Sequence, residues 1–140
     1  MTRSKWFRLV AACAALLCLA EADGSWLQRV PDADRKRTNP YAGQADAVAA
    51  GGRIFEDHCA KCHGDDAMGR RKKPSLRSQR VQGASDGEIF WLLTNGNLKK
   101  GMPTWASLPE PTRWQIITYV KSLGPSLFAE AGNSNNGERP

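Results

Sequence analysis

Two cysteines three apart, followed at once by a histidine, give the chain its chemistry: Cys59-Ala60-Lys61-Cys62-His63. This C-x-x-C-H pattern is the signature of covalent c-type haem attachment. Both thiols can reach the two vinyl groups on one porphyrin edge, and the histidine next to the second thiol can bring its imidazole under the iron. A zinc site would want four ligands, usually in two separated pairs. The only other cysteines, Cys13 and Cys18, lie in a segment that reads as removable, and the only other histidine, His58, adjoins Cys59 and does not form a second pair. A thioredoxin-like redox site would want a βαβ setting, of which the pattern shows no trace. The remaining alternative is a disulfide or a pair of free thiols in a small α-domain.

A second iron ligand is predicted in Gly101-Met102-Pro103. A thioether is a soft ligand for haem iron, and a His/Met pair raises the reduction potential. The flanking glycine and proline favour an extended loop over a helix. Met68 competes, but it lies only five residues after His63. That is a contour of roughly 17 Å, in which the chain would have to round the porphyrin rim. The alternative for Met102 is ordinary core filling.

The elements that must position these residues read as helices. A 3.6-residue pattern starts near Asp46, a candidate N-cap, and places Val48, Gly51, Ile54, Phe55 and His58 on one face. Gly51 and Gly52 cost roughly 1 kcal/mol each in a helix. Close approach of another helix would account for them; otherwise they weaken a marginal helix. After Gly64 comes a polar, basic loop to about Gly83, in which the Pro74 carbonyl is a candidate acceptor for the second ring nitrogen of His63. Ser85-Asp86-Gly87-Glu88 is a capping box opening a short helix with Ile89, Phe90, Leu92 and Leu93, which ends at Asn95-Gly96. Trp91 is either its outer edge or a haem contact. Ser107-Leu108-Pro109-Glu110 predicts a second capping box, opening a last helix with Trp114, Ile117, Tyr119, Val120 and Leu123 as its apolar surface.

Around this domain lie segments of other kinds. Residues 1–22 read as a secretory signal: basic Arg3, Lys5 and Arg8, an apolar run from Leu9 to Ala20, and an Ala20-Glu21-Ala22 cleavage site. About twelve apolar residues are too few to span a bilayer of roughly 30 Å; a retained membrane anchor is the competing reading, with a lipidated Cys13 behind it. Residues 23–45 read as an irregular lead-in that either lies against the domain or hangs free, and residues 125–140 as a disordered tail. The expected location is therefore periplasmic or exported. Only Cys59 and Cys62 would then remain, both available for haem in an oxidising compartment.

The whole chain carries a formal charge of +6, or +4 without the signal. Between Cys59 and Trp105, nine basic residues (Lys61, Arg70, Arg71, Lys72, Lys73, Arg77, Arg80, Lys99, Lys100) face four acidic ones. This asymmetry is either a solvated loop or a rim that steers an acidic redox partner. Nucleic acid is disfavoured as a partner because no aromatic residues interleave with the basic run. A membrane partner is expected only if the N-terminal segment is retained.

Residues 46–124, 79 of the 140, resemble a class I c-type cytochrome domain. The resemblance is carried by Gly51 and Phe55 ahead of the C-x-x-C-H, by Pro74-Ser75-Leu76 after it, by Gly101-Met102-Pro103, and by the Trp- and Tyr-containing last helix. It implies an all-α fold with crossed first and last helices, Gly51 at the close contact and Phe55 and Tyr119 nearby. It also implies one haem c joined to Cys59 and Cys62, with His63 and Met102 as axial ligands. The stretches Glu88-Ile89-Phe90-Trp91 and Met102-Pro103-Thr104-Trp105 are similar to small bacterial cytochromes that accompany oxidases or quinoprotein dehydrogenases. The function this implies is electron carriage without enzymatic activity of its own, as a free carrier or as a complex subunit. A peroxidase-like enzyme or a gas sensor with an open distal position is the alternative. A domain of roughly 80 residues has a marginal core and usually needs a staple, which haem would supply.

Overall fold

Sequence period and turn chemistry give six helices in the computed structural model, which describes residues 25–125. They are α1 (Asp32–Arg35), α2 (Ala45–His58), α3 (Ala60–His63), α4 (Gln79–Gly83), α5 (Asp86–Asn95) and α6 (Glu110–Ser122), with single 3₁₀ turns at Leu27–Arg29 and Leu98–Lys100. Among the described residues there is no sheet, only one isolated β-bridge. The expected all-α class holds. The signal call on 1–22 and all of the tail call but Pro125 lie outside the described residues.

The crossing of α2 and α6 is the backbone of the fold. Ala47, Gly51 and Phe55 form the buried stripe of α2, four residues apart as a helix face requires. A Cβ on Gly51 would overlap the Gln115 carbonyl group, 2.6 Å from its carbon, and lie 2.9 Å from Tyr119 Cβ. Only glycine allows the two backbones this close. The Phe55 and Tyr119 rings meet beside the crossing at 5.2 Å between centroids. Asp46 is not the N-cap: Gln44 takes that place in an extended conformation without a side-chain cap bond, and Asp46 sits inside the first turn, where its charge opposes the helix dipole favourably.

Helix α5 forms where its capping box predicts. The Glu88 amide donates to Ser85 Oγ at 3.1 Å and the Ser85 amide to Glu88 Oε2 at 2.7 Å. Its Phe90 stacks on Trp114 of α6 at 4.1 Å. The second expected box does not form. Helix α6 begins at Glu110 with Pro109 as an N-cap that makes no side-chain bond. The Glu110 carboxylate is taken instead by Arg37 and by the Trp114 indole N–H at 3.2 Å. Ser107 lies two positions ahead of the N-cap, too far from the helix for the reciprocal pair.

The lead-in is a strap packed on the domain. Trp26 and Val30 are buried within the core cluster. The Arg35 guanidinium reaches the Val30 and Leu27 carbonyls and the Glu88 carboxylate, and Ser85 Oγ donates to the Arg35 carbonyl at 3.0 Å. Buried Asn39 donates to Thr118 Oγ1 at 2.9 Å. Gly87 allows the contact with α5, since a Cβ there would strike the Asp34 carbonyl. Trp91 is half-buried beneath Arg29 of the strap, at 5.9 Å.

Candidate haem-attachment site

Helix α2 delivers the motif and then bends. The Cys59 amide still bonds the Phe55 carbonyl at 2.8 Å, and Cys59 then acts as start of α3, its carbonyl accepting from Cys62 and His63 at 3.0 and 2.9 Å. Cys59, Cys62 and His63 therefore share a single helical turn. Buried Ala60 pins that turn to the core, and Gly64, at φ +82°, ends it. Both thiols are free, Cys59 half-buried and Cys62 exposed. Burial, and to a lesser degree the Cys62 charge, pushes the Cys59 thiol up to about 11, so it stays protonated at neutral pH.

His63 is half-buried, and its Nδ1–H donates to the Pro74 carbonyl at 3.1 Å. This is the acceptor the sequence suggests, and it fixes the tautomer with the lone pair on Nε2. Burial lowers the pKa of the ring below its ordinary value; the Pro74 hydrogen bond opposes that shift and the Lys73 charge adds to it. The imidazole is thus held neutral and oriented, as a ligand must be.

Met102 belongs to a different element. An antiparallel bridge pairs it with Asn97, the Asn97 amide donating to the Met102 carbonyl at 2.9 Å and the Met102 amide to the Asn97 carbonyl at 3.0 Å. The loop is fastened to the end of α5 by Trp105 N–H on the Leu93 carbonyl at 2.9 Å and by Thr104 Oγ1 on the Thr94 carbonyl at 2.6 Å. Met102 is half-buried against the core cluster. Met68, also half-buried, has its amide held by Asp66 Oδ1 at 3.0 Å.

Two contacts join the side that carries His63 to the side that carries Met102. The His58 and Trp105 rings lie 5.4 Å apart, and Lys73 Nζ donates to the Lys100 carbonyl at 2.9 Å. Sequence reading missed Trp105 and Lys73 as site residues. The one usable signal for Trp105 was its place three residues after Met102; for Lys73 it was adjacency to Pro74. The residues present fit a covalently bound haem: two uncrosslinked thiols three apart on one turn, a neutral imidazole whose Nε2 bonds none of the described residues, and a half-buried thioether on a pinned loop.

A family model described as cytochrome c oxidase, cbb3-type, subunit III matches residues 46–120, a span that holds all four of these side chains. The chain belongs to this family. As a cbb3-type subunit III cytochrome domain it is similar to FixP, a cbb3-type cytochrome c oxidase subunit of Bradyrhizobium sp. (strain ORS 278), with 35% identity over 81 residues, 55% of this chain and 28% of that protein. FixP of Azorhizobium caulinodans is 31% identical over 111 residues, 76% of this chain and 36% of that protein. The subunit CcoP of Azospirillum sp. (strain B510) is 30% identical over 95 residues, 61% of this chain and 32% of that protein. The chain spans about a third of the length of the curated relatives it matches. Of the two kinds of company the sequence suggested, oxidase and dehydrogenase, the family is that of the oxidase. The strap lies before the matched span.

Proposed function

We propose that the chain is an exported electron carrier that binds one haem c through Cys59 and Cys62, with His63 Nε2 and Met102 Sδ as the two iron ligands. Bound haem supplies a one-electron Fe(III)/Fe(II) couple. The observation that carries the reading is the 3.1 Å bond from His63 Nδ1 to the Pro74 carbonyl, which leaves Nε2 as the only basic nitrogen and orients it. Were His63 and Met102 both to hold the iron, substrate would find no place to coordinate, and the protein's part would be to keep these two side chains still.

The partners proposed are subunits of a cbb3-type oxidase, the assembly named for the relatives, met through acidic surfaces. Lys61, Arg70, Arg71, Lys72, Lys99 and Lys100 are exposed, as is Leu98, at 74%. Exposed cations, with Lys99 and Lys100 next to an exposed leucine in the chain, suit a weak, fast encounter. Among the described residues no helix is long and apolar enough to cross a membrane, and residues 1–22 are proposed to be removed on export.

The test is the visible spectrum of protein matured in a periplasm, oxidised and reduced, with and without carbon monoxide. A long-wavelength band of methionine-ligated ferric haem, with at most slow carbon monoxide binding, is expected. Met102→Ala should attach haem yet lose that band, admit carbon monoxide and fall in potential. Ready carbon monoxide binding by the unaltered protein would replace this reading with an open-iron enzyme or sensor.

A further inference from the structure

The segment after His63 is a knot. Gly64, Ala67, Gly69 and Arg71 all have positive φ, between +54° and +88°. Within it Gly69 N–H bonds the His63 carbonyl at 2.7 Å, Leu76 N–H the Ala67 carbonyl at 2.9 Å, and Lys73 N–H the Arg70 carbonyl at 2.9 Å. A Cβ on Gly69 would lie 2.5 Å from the Lys73 carbonyl oxygen and 2.9 Å from Pro74 C and Ser75 N. The Gly69 backbone is therefore the seat on which the 73–75 chain rests, and that chain carries the carbonyl that orients His63.

From this same seat the Lys73 side chain reaches across to the other loop. Its ammonium donates to the Lys100 carbonyl at 2.9 Å and lies 2.8 Å from where a Cβ on Gly101 would stand. Gly101, at φ +76°, closes the turn by its bond to the Leu98 carbonyl at 2.9 Å and leads directly into Met102. Lys73 is half-buried where Arg70, Arg71 and Lys72 are exposed. The bond itself is solvent-exposed, and holding it costs the flexible lysine rotamer freedom.

We propose that Lys73 is a positioning residue: its bond to the Lys100 carbonyl holds the Met102 turn against the peptide that orients His63, coupling the two ligand-bearing loops. The proposal rests on the His63/Met102 reading above. Loss of the tether should let the Met102 turn open more often without disturbing haem attachment. An ammonium-to-carbonyl bond at a half-exposed site corresponds to about three- to tenfold in such an opening equilibrium.

The experiment uses the full haem-loaded chain, alone, in five forms: unaltered, Lys73→Met, Lys73→Arg, Lys72→Met and Met102→Ala. Carbon monoxide binding to the reduced protein is followed, with amide hydrogen exchange at Gly101 and Met102 as a second readout. Lys73→Met should bind carbon monoxide about three- to tenfold faster and exchange those amides faster by a similar factor. Lys73→Arg should restore both, and Lys72→Met should leave both unchanged. No partner is present, so a purely docking role for Lys73 would move neither. Unaltered behaviour of Lys73→Met, with Met102→Ala open, refutes the tether alone. An equal effect from Lys72→Met refutes it in favour of general charge. A Met102→Ala protein that binds carbon monoxide no better than the unaltered one refutes the ligation reading and takes the coupling with it.

Discussion

Alanine at Gly51 and alanine at Gly52 should have opposite consequences, although the two residues are neighbours in one helix. At Gly51 the new methyl would overlap the Gln115 carbonyl oxygen and lie 2.6 Å from the carbonyl carbon and 2.9 Å from Tyr119 Cβ. Restoring an ordinary contact to the carbon alone requires α2 and α6 to part by about 0.8 Å along their crossing, the oxygen requires more, and backbone atoms cannot rotate away as a side chain can. Overpacking of this kind costs typically 1–3 kcal/mol, against which the better helix propensity of alanine returns roughly 1 kcal/mol. Because the obstacle here is backbone, the upper end applies, for a net loss of about 2 kcal/mol. At Gly52 the obstacle is the edge of the Tyr119 ring at 3.2 Å, on a half-buried side chain free to swing by a few tenths of an ångström. There the propensity gain should leave stability unchanged or raised by up to about 1 kcal/mol. Guanidinium unfolding of the two haem-loaded variants, with unchanged slope, measures the difference directly. Equal midpoints for the two variants would refute the crossing geometry, since propensity alone treats them alike.

Trp26→Ala should cost about 3 kcal/mol and lower the thermal midpoint by more than about 10 °C, because the ring is buried in the core although it precedes the family match; an unchanged midpoint in calorimetry would show the strap to be peripheral. The lowered His63 pKa sets a pH dependence: the unfolded chain protonates first, so the stability is whole above the ordinary value of 6.5 and is lost as pH falls through the folded value. Unfolding free energies of the haem-free chain, in which no iron holds His63, should therefore decline from pH 7.5 to 5.5, and a flat or rising profile counts against a buried neutral imidazole. Electron exchange with ferricyanide, an anion, should slow roughly tenfold from low to high salt, and Lys99→Glu with Lys100→Glu should remove most of that dependence; salt-independent rates in stopped flow would demote the basic residues to a solvated surface.

Legibility in the sequence followed the range of the interactions. The C-x-x-C-H turn, the Ser85–Glu88 capping box and the Gly96 stop are fixed by residues three or four apart, and each forms as its spacing says. The Gly51 crossing was legible because a glycine pair inside a helical period is unfavourable without a close neighbour. What escaped was set by contacts between distant segments. The Ser107–Glu110 pattern is locally identical to a capping box, but Arg37, 73 residues away, holds Glu110. The lead-in looked structureless because Trp26, Val30 and Asn39 are too sparse to show a period; Trp26 and Val30 join the core cluster, and Asn39 bonds Trp114 and Thr118 of α6. Helix α4 escaped for the opposite reason: its five residues are too short for periodicity, and only the Ser78 cap on the Val81 amide gives it away. The loop after Gly64 read as open and basic because charge hides the positive-φ pattern that knots it. Lys73 reads as one more cation until its reach across 27 residues is seen.

Were the N-terminal segment retained as an anchor, the strap would also fix how far the domain can stray from it. Twenty free residues between a fixed point and a cytochrome domain would allow an excursion of up to roughly 70 Å, and the domain would sample that volume like a ball on a string. With Trp26 and Val30 buried and Arg35 clamped to Glu88, those residues contribute almost none of that length. The domain would then be carried at a short, stiff remove from residue 25, and its local concentration toward a neighbouring acceptor would be set by orientation instead of by search volume. Loosening the strap would turn a fixed domain into a swinging one without touching Cys59, Cys62, His63 or Met102.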